Sequence, residues 1–152
     1  MIQDVEILLV DDNASDAEMT IRALSKRNRI SNLLRVKDGA EALDFLFAKG
    51  AFSDRSMGAT PKLIILDLKL PKVSGKEVLL KIKTDERTRK IPVVILTSSR
   101  EAQDVKECYD LGANGYVVKP VDFDAFTTAI AELGMYWMVI NEAPQQRVLQ
   151  NR

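Results

Sequence analysis

Five short apolar runs punctuate the chain, at residues 7–10, 33–36, 63–66, 93–96 and 116–118. Most lack the alternation of a half-exposed strand and read as strands buried on both faces. Between them the apolar positions change period. Ala17, Ile21 and Leu24 share one helical face, Leu43, Leu46 and Phe47 a second, and Val78, Leu79 and Ile82 a third. Ser15 and Glu18 have the spacing of a capping box at the first helix. Five repeats of strand then helix predict an α/β protein with a parallel sheet, helices on both faces and right-handed crossovers. Periodicity leaves the strand order open. Residues 50–61 mix Gly, Ser, Asp, Thr and Pro and read as a longer surface loop.

At 152 residues the chain fits one compact domain. We expect it to cover 1–143, with 144–152 as a C-terminal tail. The 22 basic residues balance the 22 acidic ones, which argues against a general nucleic-acid surface. A lone cysteine, Cys108, rules out an internal disulfide framework and fits a reducing compartment. The absence of histidine removes the usual catalytic triads and the common zinc sites. The opening MIQDVEILLV carries two acids and too short an apolar run for a signal peptide or membrane span, so the expected location is the cytoplasm.

In a sheet of this kind ligands bind beyond the carboxyl ends of the strands. The residues there are polar: Asp11 and Asp12 after the first run, Asp67 after the third, Thr97 and Ser98 after the fourth, Lys119 and Pro120 after the fifth. Each has an ordinary reading alone. Asp11, Asp12 and Asn13 can start a helix, Asp67 a turn, Thr97 can end a strand, and Lys119 can snorkel. Together they bring three acids, a hydroxyl and an amine to one place. Two like charges about 4 Å apart repel by roughly 4 kcal/mol at an effective dielectric near 20, so the acids need a counter-charge. Lys119 and a divalent cation would supply it, and oxygen-rich ligation suits magnesium.

With VDDN at 10–13, LDLKLP at 66–71, LTSS at 96–99 and VKP at 118–120, the chain resembles response-regulator receiver domains over about residues 5–134. The resemblance implies a flavodoxin-like (CheY-like) doubly wound sheet of order 2-1-3-4-5. It makes Asp67 the phosphoacceptor, with Mg2+ (or Mn2+) held by Asp12, Asp67 and the Lys69 carbonyl, and by Asp11 through water. Thr97 and Lys119 would meet phosphoryl oxygens, and the Lys119–Pro120 peptide would be cis. Tyr116 takes the aromatic switch position, and its plain reading is a strand aromatic with its hydroxyl in water. Lys69 and Ser99 would tune the phosphoryl lifetime. Within the family, the long loop before strand three, RTRKIPVVILTSS and GANGYVVKPVDFDAF look most like the small regulators paired with bacterial phytochrome kinases. The implied protein is a phosphorylation switch rather than an enzyme. Its partner would be a sensor histidine kinase of phytochrome type, and no output domain is expected.

Rival readings fit less well. A haloacid-dehalogenase-like phosphatase expects a second Asp two residues after its nucleophile, where this chain has Lys69. An inactive receiver would lack reactive positions that are filled here. A flavin carrier would not lead its first strand into two acids. Finally, Phe123, Phe126, Ile130, Leu133, Trp137 and Ile140 recur at spacings of three and four. They predict a last helix running to about Ala143, too long for the sheet beneath it, and hence a homodimer.

Overall fold

The computed structural model describes residues 5–27, 32–119, 122–142 and 144. The five predicted runs are all strands: β1 (Ile7–Val10), β2 (Leu33–Val36), β3 (Leu63–Leu66), β4 (Val93–Thr97) and β5 (Gly115–Val118). They form one parallel sheet in the order β2-β1-β3-β4-β5. The helices between them are α1 (Ala14–Arg27), α2 (Gly39–Leu46), α3 (Gly75–Thr84), α4 (Ala102–Asp110) and α5 (Phe123–Met135).

Burial on both faces holds for β1, β3 and β4, whose residues are all buried, but the edge strands β2 and β5 are largely half-buried. An edge strand is covered from one side only, and an apolar run does not reveal its place in the sheet. One face of the sheet carries Leu8, Val10, Ile64, Leu66 and Ile95 against Phe45, Val78, Leu79, Ile82 and Cys108 of α2, α3 and α4. The other carries Ile7, Leu9, Leu63, Ile65, Val94 and Leu96 against Ala17, Leu24, Phe126 and Ile130 of α1 and α5. Each fully buried Leu or Ile contributes roughly 1.5–3 kcal/mol.

The helix starts follow local chemistry. Asp38, Ser74 and Asp122 accept from the backbone N–H of Glu41, Glu77 and Asp124. The capping box expected of Ser15 and Glu18 does not form. Helix α1 already begins at Ala14, and Asn13 caps it by accepting from Asp16 N at 2.9 Å. The 50–61 loop holds a short 3-10 turn, Gly50–Phe52. Arg55 secures this loop, lying over the Phe45 ring and donating to the carbonyls of Phe45 and Ala59.

The last helix departs from its expected length. After Met135 it widens into a π turn, Tyr136–Ile140, and Asn141 is extended at φ −69°, ψ 137°. Trp137 and Met138 thereby turn back onto the α1/α5 face of the core, while Tyr136 and Ile140 stay exposed. The expected end at Ala143 lies outside the described residues, as do 1–4 and most of the 144–152 tail.

At the end of the sheet remote from Asp67, the Lys83 ammonium joins three segments, donating to the carbonyls of Arg89 (3.1 Å) and Ile91 (2.7 Å) and to Asn114 Oδ1 (3.0 Å). Burial lowers its pKa from 10.5 to about 8. Between those values the unfolded chain binds a proton that the folded chain has lost, so this group makes stability rise with pH across that window and leaves it flat below. Denaturant unfolding from pH 7 to 10 should therefore show wild type gaining on Lys83→Met above about pH 8. A difference that stays constant or shrinks contradicts the shift.

Candidate functional site

The parallel ladder runs one residue past the strands and fixes the site. Val10 lies opposite Leu66, and the next N–H, that of Asp67, donates to Val10 O at 3.0 Å. Asp11 N donates to Val36 O at 3.1 Å. Thr97 lies opposite Val118, and Lys119 N donates to Thr97 O at 2.7 Å. Asp11, Asp12, Asp67, Thr97 and Lys119 thus stand at neighbouring strand ends because hydrogen-bond register puts them there.

Asp67 opens a loop clamped from below. A Cβ on Gly75 would lie 2.2 Å from Asp67 O and 2.6 Å from Leu68 Cα, and Gly75 N donates to Leu68 O at 2.9 Å. Only glycine allows α3 to start so close beneath the Asp67 backbone. Lys69 N approaches Asp67 Oδ1 at 3.4 Å, and the Lys69 side chain is exposed.

The carboxylates converge as expected. Asp11, Asp12 and Asp67 each place one oxygen within 4.8 Å of the others. Asp11 is 1% exposed, Asp67 8%, and Asp12 lies open to solvent. That set, hard carboxylate oxygens with open space on the Asp12 side, fits a small divalent cation that keeps part of its water. Lys119 Nζ sits 2.9 Å from Asp67 Oδ2, 3.2 Å from Asp11 Oδ2 and 3.0 Å from Asp16 Oδ2. Burial opposes its charge, but the hydrogen bonds to Asp67 and Asp16 and the Asp11 charge outweigh burial and raise its pKa. Burial pushes Asp11 the other way, above the usual carboxylate range, against the Asn13 N–H and Lys119, which lower it.

Asp16 is a site residue that the sequence reading missed. Its signal was its place four residues after Asp12 in the first turn of α1, which turns it toward the same end of the sheet. The charge balance of three acids against lysine and cation therefore becomes four acids, a net excess of one negative charge.

Tyr116 is half-buried against the α2/α3/α4 face of the core, and its hydroxyl donates to Ser99 O at 3.0 Å rather than to water. Burial raises its pKa above 10. Ser99 N approaches Thr97 Oγ1 at 3.4 Å, and Ser99 Oγ donates to Asp104 Oδ2 at 2.5 Å. The expected cis peptide at Lys119–Pro120 involves Pro120, which lies outside the described residues. No helix among the described residues is long and apolar enough to cross a membrane.

Comparison with known proteins identifies the family. The response regulator receiver domain family matches residues 7–131. Response regulator Rcp1 of Synechocystis sp. is 33% identical over 87% of this chain and 88% of its own. Its Mn2+-bound crystal structure covers 93% of this chain and 99% of that one, with a TM-score of 0.85. The bacteriophytochrome response regulator RtBRR is 50% identical, with a TM-score of 0.72 over 95% of this chain and 85% of that one. A probable methanogenesis regulatory protein, FilR2 of Methanothrix harundinacea, is 37% identical over 91% of this chain and 86% of its own. The chain belongs to the response regulator receiver domain family and is a two-component response regulator.

Proposed function

We propose that Asp67 is the phosphoacceptor and that Asp12, Asp67 and the Lys69 carbonyl, with Asp11 through water, hold Mg2+ or Mn2+ beside it. The observation that carries this reading is the Lys119 ammonium 2.9 Å from the Asp67 carboxylate, at the edge of a three-carboxylate oxygen cluster. An Asp67 oxygen attacks phosphorus of a kinase phosphohistidine, the P–N bond breaks, and an acyl phosphate remains while the histidine leaves as imidazole. Lys119 pairs with a phosphoryl oxygen, and the Thr97 hydroxyl donates to another. When bound, the cation neutralises charge on the phosphoryl oxygens. Water later hydrolyses the acyl phosphate, with Lys69 and Ser99 at its approach. The chain turns over no separate substrate, and it acts in the cytoplasm without binding nucleic acid.

The kinase partner is of phytochrome type, a reading supported by likeness to the bacteriophytochrome regulator. Incubation with acetyl phosphate and magnesium, read by intact mass, should add one phosphoryl group to wild type and none to Asp67→Asn, because an amide is a poor nucleophile and a poor cation ligand. Equal labelling of the variant would overturn the assignment.

Lys119→Ala removes the ammonium that competes with the cation for Asp11 and Asp67. Mg2+ should bind at least as tightly as in wild type, by up to about tenfold, while the spectral change on phosphorylation shrinks. Weakened Mg2+ affinity, or an undiminished spectral change, would contradict these roles.

We further propose a homodimer built on the C-terminal segment. Tyr136 and Ile140, at the two ends of the π turn, are exposed at 46% and 64%, and exposed apolar side chains of this size mark contact surfaces when they cluster. Trp137 packs on its own domain, so Ile140→Glu is the cleaner probe. Sedimentation at tens of micromolar should show a dimer for wild type and a folded monomer for the variant. A strictly monomeric wild type, phosphorylated or not, removes the proposal.

A further inference from the structure

The loop between β4 and α4 is held from outside the phosphoryl site. Ser99 is its centre: its carbonyl accepts the Tyr116 hydroxyl at 3.0 Å, and its Oγ accepts from Glu101 N at 3.3 Å and donates to Asp104 Oδ2 at 2.5 Å. The other Asp104 oxygen accepts from Lys76 Nζ at 2.6 Å, and Lys76 also reaches Glu107. Hydrogen bonds from Lys76 and then Ser99 hold the Asp104 pKa below its usual value, so it stays an acceptor near neutral pH. Lys76 itself follows Gly75, the residue pressed under the Asp67 backbone. A continuous set of contacts therefore runs from the Asp67 loop through the start of α3 and α4 to the loop that receives Tyr116.

We propose that Asp104, held by Lys76, is a positioning residue that fixes Ser99 so that its carbonyl keeps the Tyr116 hydroxyl and the ring stays turned in toward the core. A tyrosine hydroxyl exchanges a carbonyl for water at small net cost, so a modest loosening of Ser99 shifts the ring's population outward. Without Asp104, Ser99 Oγ keeps only its contact with the α4 N-cap residue Glu101 among the side-chain bonds named, and the loop loses its side-chain tie to the body of α4 and, through Lys76, to α3. The relevance to switching rests on the receiver reading of Ser99 and Tyr116, whereas the hydrogen bonds that hold the ring stand on the geometry alone.

The test uses the full chain labelled with 3-fluorotyrosine. Its three tyrosines, Tyr109, Tyr116 and Tyr136, are assigned by Tyr→Phe variants, and the fluorine shift between H2O and D2O reports the exposure of each. In wild type the Tyr116 resonance should be protected. In Asp104→Ala, Lys76→Met and Ser99→Ala it should move toward the exposed value of Tyr109, and Ser99→Ala/Asp104→Ala should move no further than either single variant. Asp104→Asn, which keeps an oxygen for Ser99, should fall between. An unmoved Tyr116 in folded Asp104→Ala or Lys76→Met, or additive shifts in the double variant, overturns the proposal. In parallel, labelling by acetyl phosphate should slow about three- to tenfold in Asp104→Ala with Mg2+ affinity unchanged. A wild type that takes no label would defeat the receiver reading alone, because the Tyr116 resonance still decides the role of Asp104.

Discussion

One ammonium stands among three carboxylates, two of them nearly sealed from water: Lys119 within 3.2 Å of Asp11, Asp16 and Asp67. At such separations each unbalanced like-charge pair costs several kcal/mol, a large part of the stability of a small domain. The site is therefore also a folding constraint. Lys119 reaches the acids because β5 pairs with β4 in the register that sets Val118 opposite Thr97. A slip of one residue would turn the lysine to the other face of the sheet. The half-buried edge strand β5, which has less apolar burial to specify its register, gains specification from the charge at its end.

The acid loop is constrained from the opposite direction. Gly75 admits the start of α3 directly beneath Asp67, and a Cβ on Gly39 would lie 2.0 Å from Val73 O, so the 67–75 loop is pressed between two helix starts. Positive φ at Lys72 (70°) completes this tight path. Asp67 therefore keeps its place through backbone packing, and under the proposed function its side chain can exchange Lys119 for cation and phosphoryl group without moving that backbone. Separating the two tasks lets the chemistry vary without moving the fold.

How much of this was legible in the sequence follows from which signals are local. Apolar runs that stop abruptly at Asp11, Asp67, Thr97 and Lys119 marked both the strands and the ligand end of the sheet, because strand ends are sites in this class of fold. Asp16 was hidden by its position inside a helix, where an acid in the first turn has a sufficient local explanation. Asp104 and Lys76 meet across 28 residues with no motif to join them. The C-terminal segment misled for another reason. Its apolar residues follow an α period, but the π turn at Tyr136–Ile140 rotates Trp137 and Met138 inward, and backbone winding of that kind leaves no mark on a spacing pattern.

Lys119 and Ser99 are the two ends of one short route. Lys119 N donates to Thr97 O at 2.7 Å, and Ser99 N approaches the Thr97 hydroxyl, so Thr97 touches both the residue that carries the counter-charge and the residue that receives Tyr116. Under the proposed function, the exchange of Lys119 from Asp67 to a phosphoryl oxygen takes place on a residue whose backbone is bonded directly to Thr97 on β4. On the same proposal, the Tyr116 ring at the far side of that contact exchanges a carbonyl for water at small net cost, so a bias of about 1–2 kcal/mol suffices to redistribute it. Thr97, fully buried and uncharged, is therefore the point at which the proposed phosphoryl site and the loop that receives Tyr116 adjoin, through adjacency on two paired strands.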